Sequence, residues 1–253
     1  MNDLSIVIPF RADSDNRIKN LLTVLAFLAP LPCPIIVLEA DEKSRLKQIF
    51  KKFGKRIAFL FEYDVSPVFH RTRYINKLLQ CAKTKYVGVW DSDVIVPEKQ
   101  IRETCDMIKE KQCIISYPFD GRFIPLDKDL SKTVRKATSI KSLETMLLKP
   151  VLGRPSYGGA FIVDKEKYLL AGGENENFIG WGPEDAERVH RCEILGYNIG
   201  RIKEGCLYHL YHRPNINPDM QKTTQMRNEF IMECSMTSSE LRRHLMTIGL
   251  IKK

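Results

Sequence analysis

At 253 residues the chain is long enough for one large domain, or two intimate halves, around a sizeable core. It is 43% hydrophobic and 28% charged, ordinary for a globular protein, and no apolar run reaches the length of a transmembrane helix. The net charge of +9 suits nucleic acid, anionic lipid or a phosphate-bearing substrate, and does not by itself choose among them.

Leu4–Phe10 is a short apolar run rich in β-branched residues and reads as a buried first strand. Asn16–Ala29 has helical spacing of Ile18, Leu21, Leu22, Leu25 and Leu28, and Pro34–Glu39 is a second strand ending in an acid. An amphipathic helix over Lys43–Phe53, a strand over Ile57–Phe61, a helix over His70–Lys83 and a strand over Tyr86–Trp90 follow. Strands alternating with helices imply a largely parallel, doubly wound sheet with right-handed crossovers. Ligands bind such sheets at the carboxyl ends of the strands, where Arg11, Glu39, Asp91 and Asp93 all fall. Beyond Pro97 the pattern predicts a helix over Glu98–Lys111, a strand over Cys113–Pro118 and a mostly helical, basic stretch over Asp127–Leu148. Gly153–Gly159 is a loop, Ala160–Val163 a strand and Lys165–Ala171 a short helix. Gly172–Gly182 is a Gly- and Asn-rich loop of the kind that covers a site. A strand over Cys206–Tyr211 and a polar helical tail from Asp219 complete the chain. With no repeat or low-complexity linker, the halves 1–97 and 98–218 are expected to share one sheet, with 219–253 as a helical extension.

Four groups of residues carry chemistry. Asp91-Ser-Asp93 leaves an apolar strand, and two carboxylates there can hold a hard divalent cation that bridges a diphosphate, although such pairs also occur in plain turns. His209 and His212 are spaced for a turn or helix face, whereas a continuous strand would turn them to opposite faces. An Asp/His mixture suits Mn²⁺. Arg11, behind Phe10, and Arg71, behind Phe69 and His70, are placed to pair with phosphate oxygens beside a ring that can stack on a base. Finally, Glu184 and Asp185 stand at a helix start marked by Pro183, where they serve either as helix-capping acids or as a general base with a partner. Lys132, Arg135, Lys136 and Lys141 read as a solvated helix face. No phosphate-binding Gly-x-x-x-x-Gly-Lys and no Gly-x-Gly-x-x-Gly follows the first strand, which speaks against a kinase, an ATPase or a dinucleotide oxidoreductase.

Taken in order, these blocks resemble the GT-A fold glycosyltransferases, in particular the β-1,4-galactosyltransferase type and its bacterial family 2-like relatives such as chondroitin-polymerase modules. Ile8-Pro-Phe-Arg11 is similar to the family's first nucleotide-binding strand, and Phe69-His-Arg71 … Asn76 to its Phe-Asn-Arg helix. Asp91-Ser-Asp93 looks like its metal motif, and Tyr157-Gly-Gly-Ala through Gly180-Trp-Gly-Pro-Glu-Asp185 like its Gly-Gly and Trp-Gly-Gly-Glu-Asp segments. Pro183 stands in place of that segment's second glycine, and Asp13 in place of a second arginine.

The resemblance implies a GT-A (Rossmann-like nucleotide-diphospho-sugar transferase) fold, α/β, in a single domain with a mixed, mostly parallel sheet. It implies an inverting, metal-dependent transfer of a hexose, galactose or N-acetylgalactosamine favoured, from a UDP-sugar to a glycan or lipid-linked glycan. In that reading Arg11, Phe69 and Arg71 contact UDP, Glu39 lies near uridine or ribose, and Asp91 meets sugar or ribose. Asp93, His209 and His212 hold Mn²⁺, with Mg²⁺ as substitute. Gly158, Gly159 and Trp181 line the sugar sites, Asp185 is the base and Glu184 contacts donor or acceptor sugar. The rival readings are a sugar-nucleotide nucleotidyltransferase and a non-catalytic basic polymer-binding protein. The first usually carries a Gly-rich loop where this chain has Phe10-Arg-Ala-Asp13; the second needs aromatics interleaved with lysines, which are absent. Nucleic acid is therefore not an expected partner.

Seven scattered cysteines without a Cys-x-x-Cys pair, and a start without a signal peptide's basic region, point to a reducing compartment. The stem, anchor and disulfides of Golgi enzymes are not seen. The expectation is a bacterial enzyme of polysaccharide biosynthesis, cytoplasmic, with its basic surface in peripheral contact with the inner face of the membrane.

Overall fold

Leu4–Phe10 forms the first strand, β1, and all of it is buried, as suits a central strand covered on both faces. The computed structural model describes residues 1–51, 57–180, 182–213 and 220–252. From β1 the chain continues through α1 (Asp15–Leu28), β2 (Ile35–Asp41), α2 (Lys47–Phe50), β3 (Ile57–Tyr63), α3 (Arg71–Cys81) and β4 (Tyr86–Trp90). Next come β5 (Val94–Ile95), α4 (Glu98–Glu110), β6 (Ile115–Tyr117), β7 (Phe123–Pro125), α5 (Lys128–Ala137) and α6 (Lys141–Glu144). Then follow β8 (Ala160–Asp164), α7 (Lys165–Leu170), α8 (Glu184–Ile194), β9 (Ile199–Arg201) and β10 (Leu207–His209), with α9 (Met220–Cys234) and α10 (Ser238–Thr247) last.

Seven strands form the main sheet in the order β3-β2-β1-β4-β8-β6-β9. The pairs from β3 to β4 are parallel, β8 runs antiparallel to both β4 and β6, and β9 is again parallel to β6. The sheet is thus mixed and mostly parallel, and both halves of the chain contribute strands to it. Helix α1 shows why the layers close: Leu21, Val24, Leu25 and Leu28 bury one face, the spacing of a helix packed on a sheet. Ser14 caps it by accepting the amide of Arg17.

Of the expected Lys43–Phe53 helix, α2 covers Lys47–Phe50, and residues 52 and 53 lie outside the described residues. Its start is delayed by Glu39, whose carboxylate takes the Ser44 hydroxyl and the amides of Arg45 and Leu46 and so organises a turn there. The Asp127–Leu148 stretch is split after α5 by Thr138, which adopts a left-handed conformation (φ 45°). β10 lies within the strand expected over Cys206–Tyr211, whereas its partners β5 and β7 in the second sheet, and the strand β9, go beyond the sequence expectation. Those strands of two and three residues are too short to carry an alternation signal. The expected boundary at 218/219 lies outside the described residues, but Leu241 and Leu245 of α10 are fully buried in the common hydrophobic core. Among the described residues no helix is long and apolar enough to cross a membrane.

The antiparallel run of β8 positions the site. Trp90, the last residue of β4, pairs with Ala160, the first of β8. Gly158 and Gly159 therefore arrive at the carboxyl end of β4, where Asp91 N–H donates to the Gly159 carbonyl at 2.8 Å. Gly159 has φ +95°, and a Cβ there would stand 2.9 Å from Leu207 and 3.2 Å from Phe123. Gly159→Ala is expected to lower folding stability by about 1–3 kcal/mol, read by urea unfolding.

Candidate active site

β5 and β10 bring the metal-type residues together. They pair antiparallel with His209 opposite Val94, and the Leu210 amide donates to the Asp93 carbonyl at 2.8 Å. The strand ends at His209, so His212 is not bound to the opposite face and folds back to the same carboxylate. His209 Nε2 lies 3.5 Å from Asp93 Oδ1 and His212 Nε2 3.2 Å from Asp93 Oδ2. One ligand atom from each of the three residues falls within 4.8 Å of the others.

The segment is anchored from behind. Tyr211 N–H donates to Ser131 Oγ, and its carbonyl accepts from Asn20 and Arg135. Arg135 also donates twice to Asn20 Oδ1. It is therefore not part of a solvated helix face, as its sequence context suggests, but a brace joining α5 to α1 and to the histidine segment. His212 Nδ1 lies 2.7 Å from the Arg213 carbonyl. A proton on Nδ1 donates there and leaves Nε2 as the ligand atom, the usual arrangement behind a metal-bound imidazole.

Burial opposes ionisation of Asp93, yet His209, His212 and Arg17 outweigh it and hold the carboxyl well below its ordinary range. Burial lowers the pKa of His209, which keeps the ring neutral. His212 is raised by its contact with Asp93. An ionised carboxylate with imidazoles around it is the chemistry a divalent transition cation takes. Arg17 Nη1, 2.9 Å from Asp93 Oδ2, shares that charge. Nothing in the sequence marks Arg17, because its partner is 76 residues away.

A second network joins the other acids. Arg71 Nε and Nη2 both donate to Asp91 Oδ1 at 2.9 and 2.7 Å, and its Nη1 lies 3.6 Å from Asp185 Oδ1. That Nη1 is buried and has no hydrogen-bond partner among the described residues. Asp185 also accepts from Arg188 Nη1 at 2.9 Å. Arg188 has no exposed surface; it forks onto both oxygens of Glu174 at 2.7 and 2.8 Å and lies over the Phe161 ring. Glu174 takes a third bond from the Tyr168 hydroxyl, and its backbone is clasped by the Asn76 amide.

Glu184 and Asp185 open α8, with Pro183 as the capping residue. Their surroundings drive them apart. Burial would raise Asp185, but Arg188 and Arg71 bring it below its ordinary value. Burial and the neighbouring Asp185 charge push Glu184 up to about 8, while its Oε2 accepts the Gly182 amide. Gly158 faces this pair: a Cβ there would sit 2.6 Å from Asp185 Oδ2.

The expected nucleotide contacts are arranged differently from one another. Arg11 bonds the Ala40 and Ser66 carbonyls and Asp64, and stands over the Phe69 ring 5.3 Å from its centroid. Phe69 stays half-buried and is tilted against Tyr74. Glu39 departs from expectation: it has no exposed surface, and both oxygens serve the turn at residues 44–46. It shapes the floor under the β2 end and offers no oxygen to a uridine or ribose. Asp41, two residues on and half-buried, accepts the Ala12 amide at the same strand end. Trp181 lies outside the described residues. The residues missed by sequence reasoning, Arg17, Asp64, Glu174 and Arg188, all act through partners distant in sequence or through burial. The one local signal is the spacing of Asp185 and Arg188 on a helix face.

Residues 143–213 match a family model described as the N-terminal domain of galactosyltransferase. That segment contains Gly158, Gly159, Glu184, Asp185, His209 and His212. No curated protein sequence matches the chain. Among solved structures, a crystal structure of GalNAc-T7 with UDP, GalNAc and Mn²⁺ superposes with a TM-score of 0.63 at 13% identity, over 92% of this chain. The chain spans about half the length of that protein, 50%. The likeness shows the fold, that of the GT-A glycosyltransferases, and the galactosyltransferase-domain match is confined to residues 143–213.

The cation site is directly testable. Mn²⁺ titration followed by electron paramagnetic resonance is expected to show binding weakened by more than about tenfold in Asp93→Asn and in His212→Ala. Affinity in the unaltered chain should fall as acid protonates the imidazoles, because protons compete with the metal for the same lone pairs.

Proposed function

We propose that this chain transfers a hexose, galactose or N-acetylgalactosamine, from a UDP-sugar to a glycan hydroxyl with inversion, and that Asp185 is the base. The observation that carries the reading is that two differently built carboxylate sites meet at one sheet edge. Asp93 with His209 and His212 has the donor set for Mn²⁺, while Asp91 links through Arg71 to Asp185. The galactosyltransferase-type match covers the histidines and both α8 acids, and the GT-A neighbour was crystallised with UDP, GalNAc and Mn²⁺.

Asp93, His209 and His212 would hold Mn²⁺, which would supply positive charge against the departing diphosphate. Asp185, ionised because Arg188 and Arg71 face it, takes the proton of the acceptor hydroxyl as that oxygen attacks the anomeric carbon. Arg71, with Nη1 unbonded among the described residues between Asp91 and Asp185, holds both carboxylates apart and offers a donor to a phosphate oxygen. Phe69, backed by Arg11, gives the base of the nucleotide a ring to lie against. Glu184, protonated below about 8, donates a hydrogen bond to a sugar hydroxyl. Gly158 leaves room for the sugar beside Asp185, Gly159 lets the chain pack close against Leu207 and Phe123 behind it, and Trp181 is proposed to line the sugar site.

The acceptor is proposed to be a lipid-linked glycan, met at the inner face of the cytoplasmic membrane. What supports this is the exposed stretch of Leu147, Val151 and Leu152, interspersed with the exposed Lys149 and Arg154. An apolar ridge flanked by cations suits an anionic lipid surface.

A UDP-release assay with and without Mn²⁺ tests the core of the reading. Asp185→Asn should lower kcat by roughly 10²–10⁴ while UDP-sugar binding is kept; unchanged turnover overturns the assignment. The pH profile tests Glu184. Its carboxyl binds a proton more tightly in the folded chain, so stability falls as pH rises from the ordinary carboxyl range to about 8. kcat/KM should decline over the upper part of that window as the donor is lost, and Glu184→Gln, which keeps a donor, should abolish this alkaline limb.

A further inference from the structure

Away from the strand ends, the C-terminal helices hold a second convergence of ligand atoms that the transfer reaction does not use. Glu229 and Glu233 lie one helical turn apart on α9, and His244 reaches them from α10; one atom from each falls within 4.8 Å of the others. Glu233 is buried, its side chain only 3% exposed, and neither of its oxygens has a hydrogen-bond partner among the described residues. The buried His244 Nε2 also lacks one there, and it stands 3.7 Å from Glu233 Oε1.

The surroundings do not supply the missing charge. Arg191, the guanidinium whose charge favours ionisation of Glu233, gives its donors to Glu187 and to the Ala171 and Gly173 carbonyls. Glu187 adds a like charge, and Glu229 a second. Two carboxylates and an imidazole aimed at one point, with Glu233 enclosed and unpartnered among the described residues, form a donor set that suits a divalent cation. The connection between the helices is fixed beforehand by the Thr237–Glu240 capping box.

We propose that Glu229, Glu233 and His244 form a second, structural cation site, of the zinc type. Carboxylate and imidazole ligands suit that ion, and its two charges balance the two acids. Asn175 and Asn177 donate to Glu229. The cation would thus tie both C-terminal helices to the loop that leads into Glu184 and Asp185. Burial with the neighbouring acids raises Glu233 to about 8, so a bound proton is the competing way to neutralise it.

The experiment uses the full chain carrying Asp93→Asn, which removes the strand-end site, stripped of metal and titrated with Zn²⁺ or Co²⁺. The expected result is uptake of about one equivalent, visible d–d absorption of the Co²⁺ form, and a melting temperature that rises with Zn²⁺ and falls with chelator. Adding Glu233→Gln should abolish all three. His244→Asn serves the same purpose if the glutamine variant does not fold. Uptake no greater in the Asp93→Asn chain than in either double variant overturns the site and leaves a proton on Glu233. The outcome is independent of the sugar-transfer reading, since no turnover is measured.

Discussion

Arg188 is a guanidinium with no exposed surface, and the charge state of half the site follows from it. A buried cation persists only where carboxylates surround it, because removing one partner leaves an unmatched charge in a low-dielectric interior. Glu174 supplies the full fork, and Asp185 takes the remaining edge. The pairing, with Arg71, holds the Asp185 carboxyl below its ordinary range against the opposing push of burial. It also locks the loop through Glu174, whose backbone is fastened to Asn76 of α3. One ion pair therefore sets the charge of Asp185, its loop and the register of that loop against α3.

The second constraint is topological. In a wholly parallel sheet, the residues before β8 would emerge at the amino ends of the strands. Because β8 is antiparallel, its start meets the end of β4, and the Gly158-Gly159 pair reaches Asp91 directly. The small sheet does the same for the histidines. β10 is antiparallel to β5 for only a two-residue ladder, enough to lay His209 beside Asp93, and then ends, which frees His212 to turn inward. Both functional groups depend on strand direction more than on strand length.

Strand length and direction also decide how much of the molecule is legible in its sequence. β1, β4, α1 and α3 are long enough for their apolar periodicity to show, so the strand ends and the acids on them can be read. The order of motifs is legible too, because each lies at a strand end or a helix start that the local pattern defines. The short strands β5, β7 and β9 are invisible, since periodicity needs several residues to repeat, whereas β6 and β10 sit within longer stretches that the local pattern marks. Glu39 falls at the strand end that the sequence indicates, yet its carboxylate serves the protein and not a ligand. Nothing local distinguishes an acid that faces a ligand from one that faces its own turn. Arg17, Arg135 and Arg188 escape or mislead for one reason. A charged residue on a helix defaults to solvent in a one-dimensional reading, and only the folded chain shows which face is enclosed.

Glu184 and Asp185 are adjacent, of nearly identical chemistry, and enclosed by the same fold, yet they are driven in opposite directions. Adjacent residues at a helix start point about 100° apart, so one can meet the arginines while the other meets backbone and apolar surface. Once Asp185 is charged, its field raises Glu184 further, and the pair settles into one charged and one neutral member. One ionised and one protonated carboxyl are thereby obtained from two acids without any cation beyond those the fold already encloses. The asymmetry is a property of the arginines, not of the acids, and exchanging the two side chains' surroundings would exchange their roles.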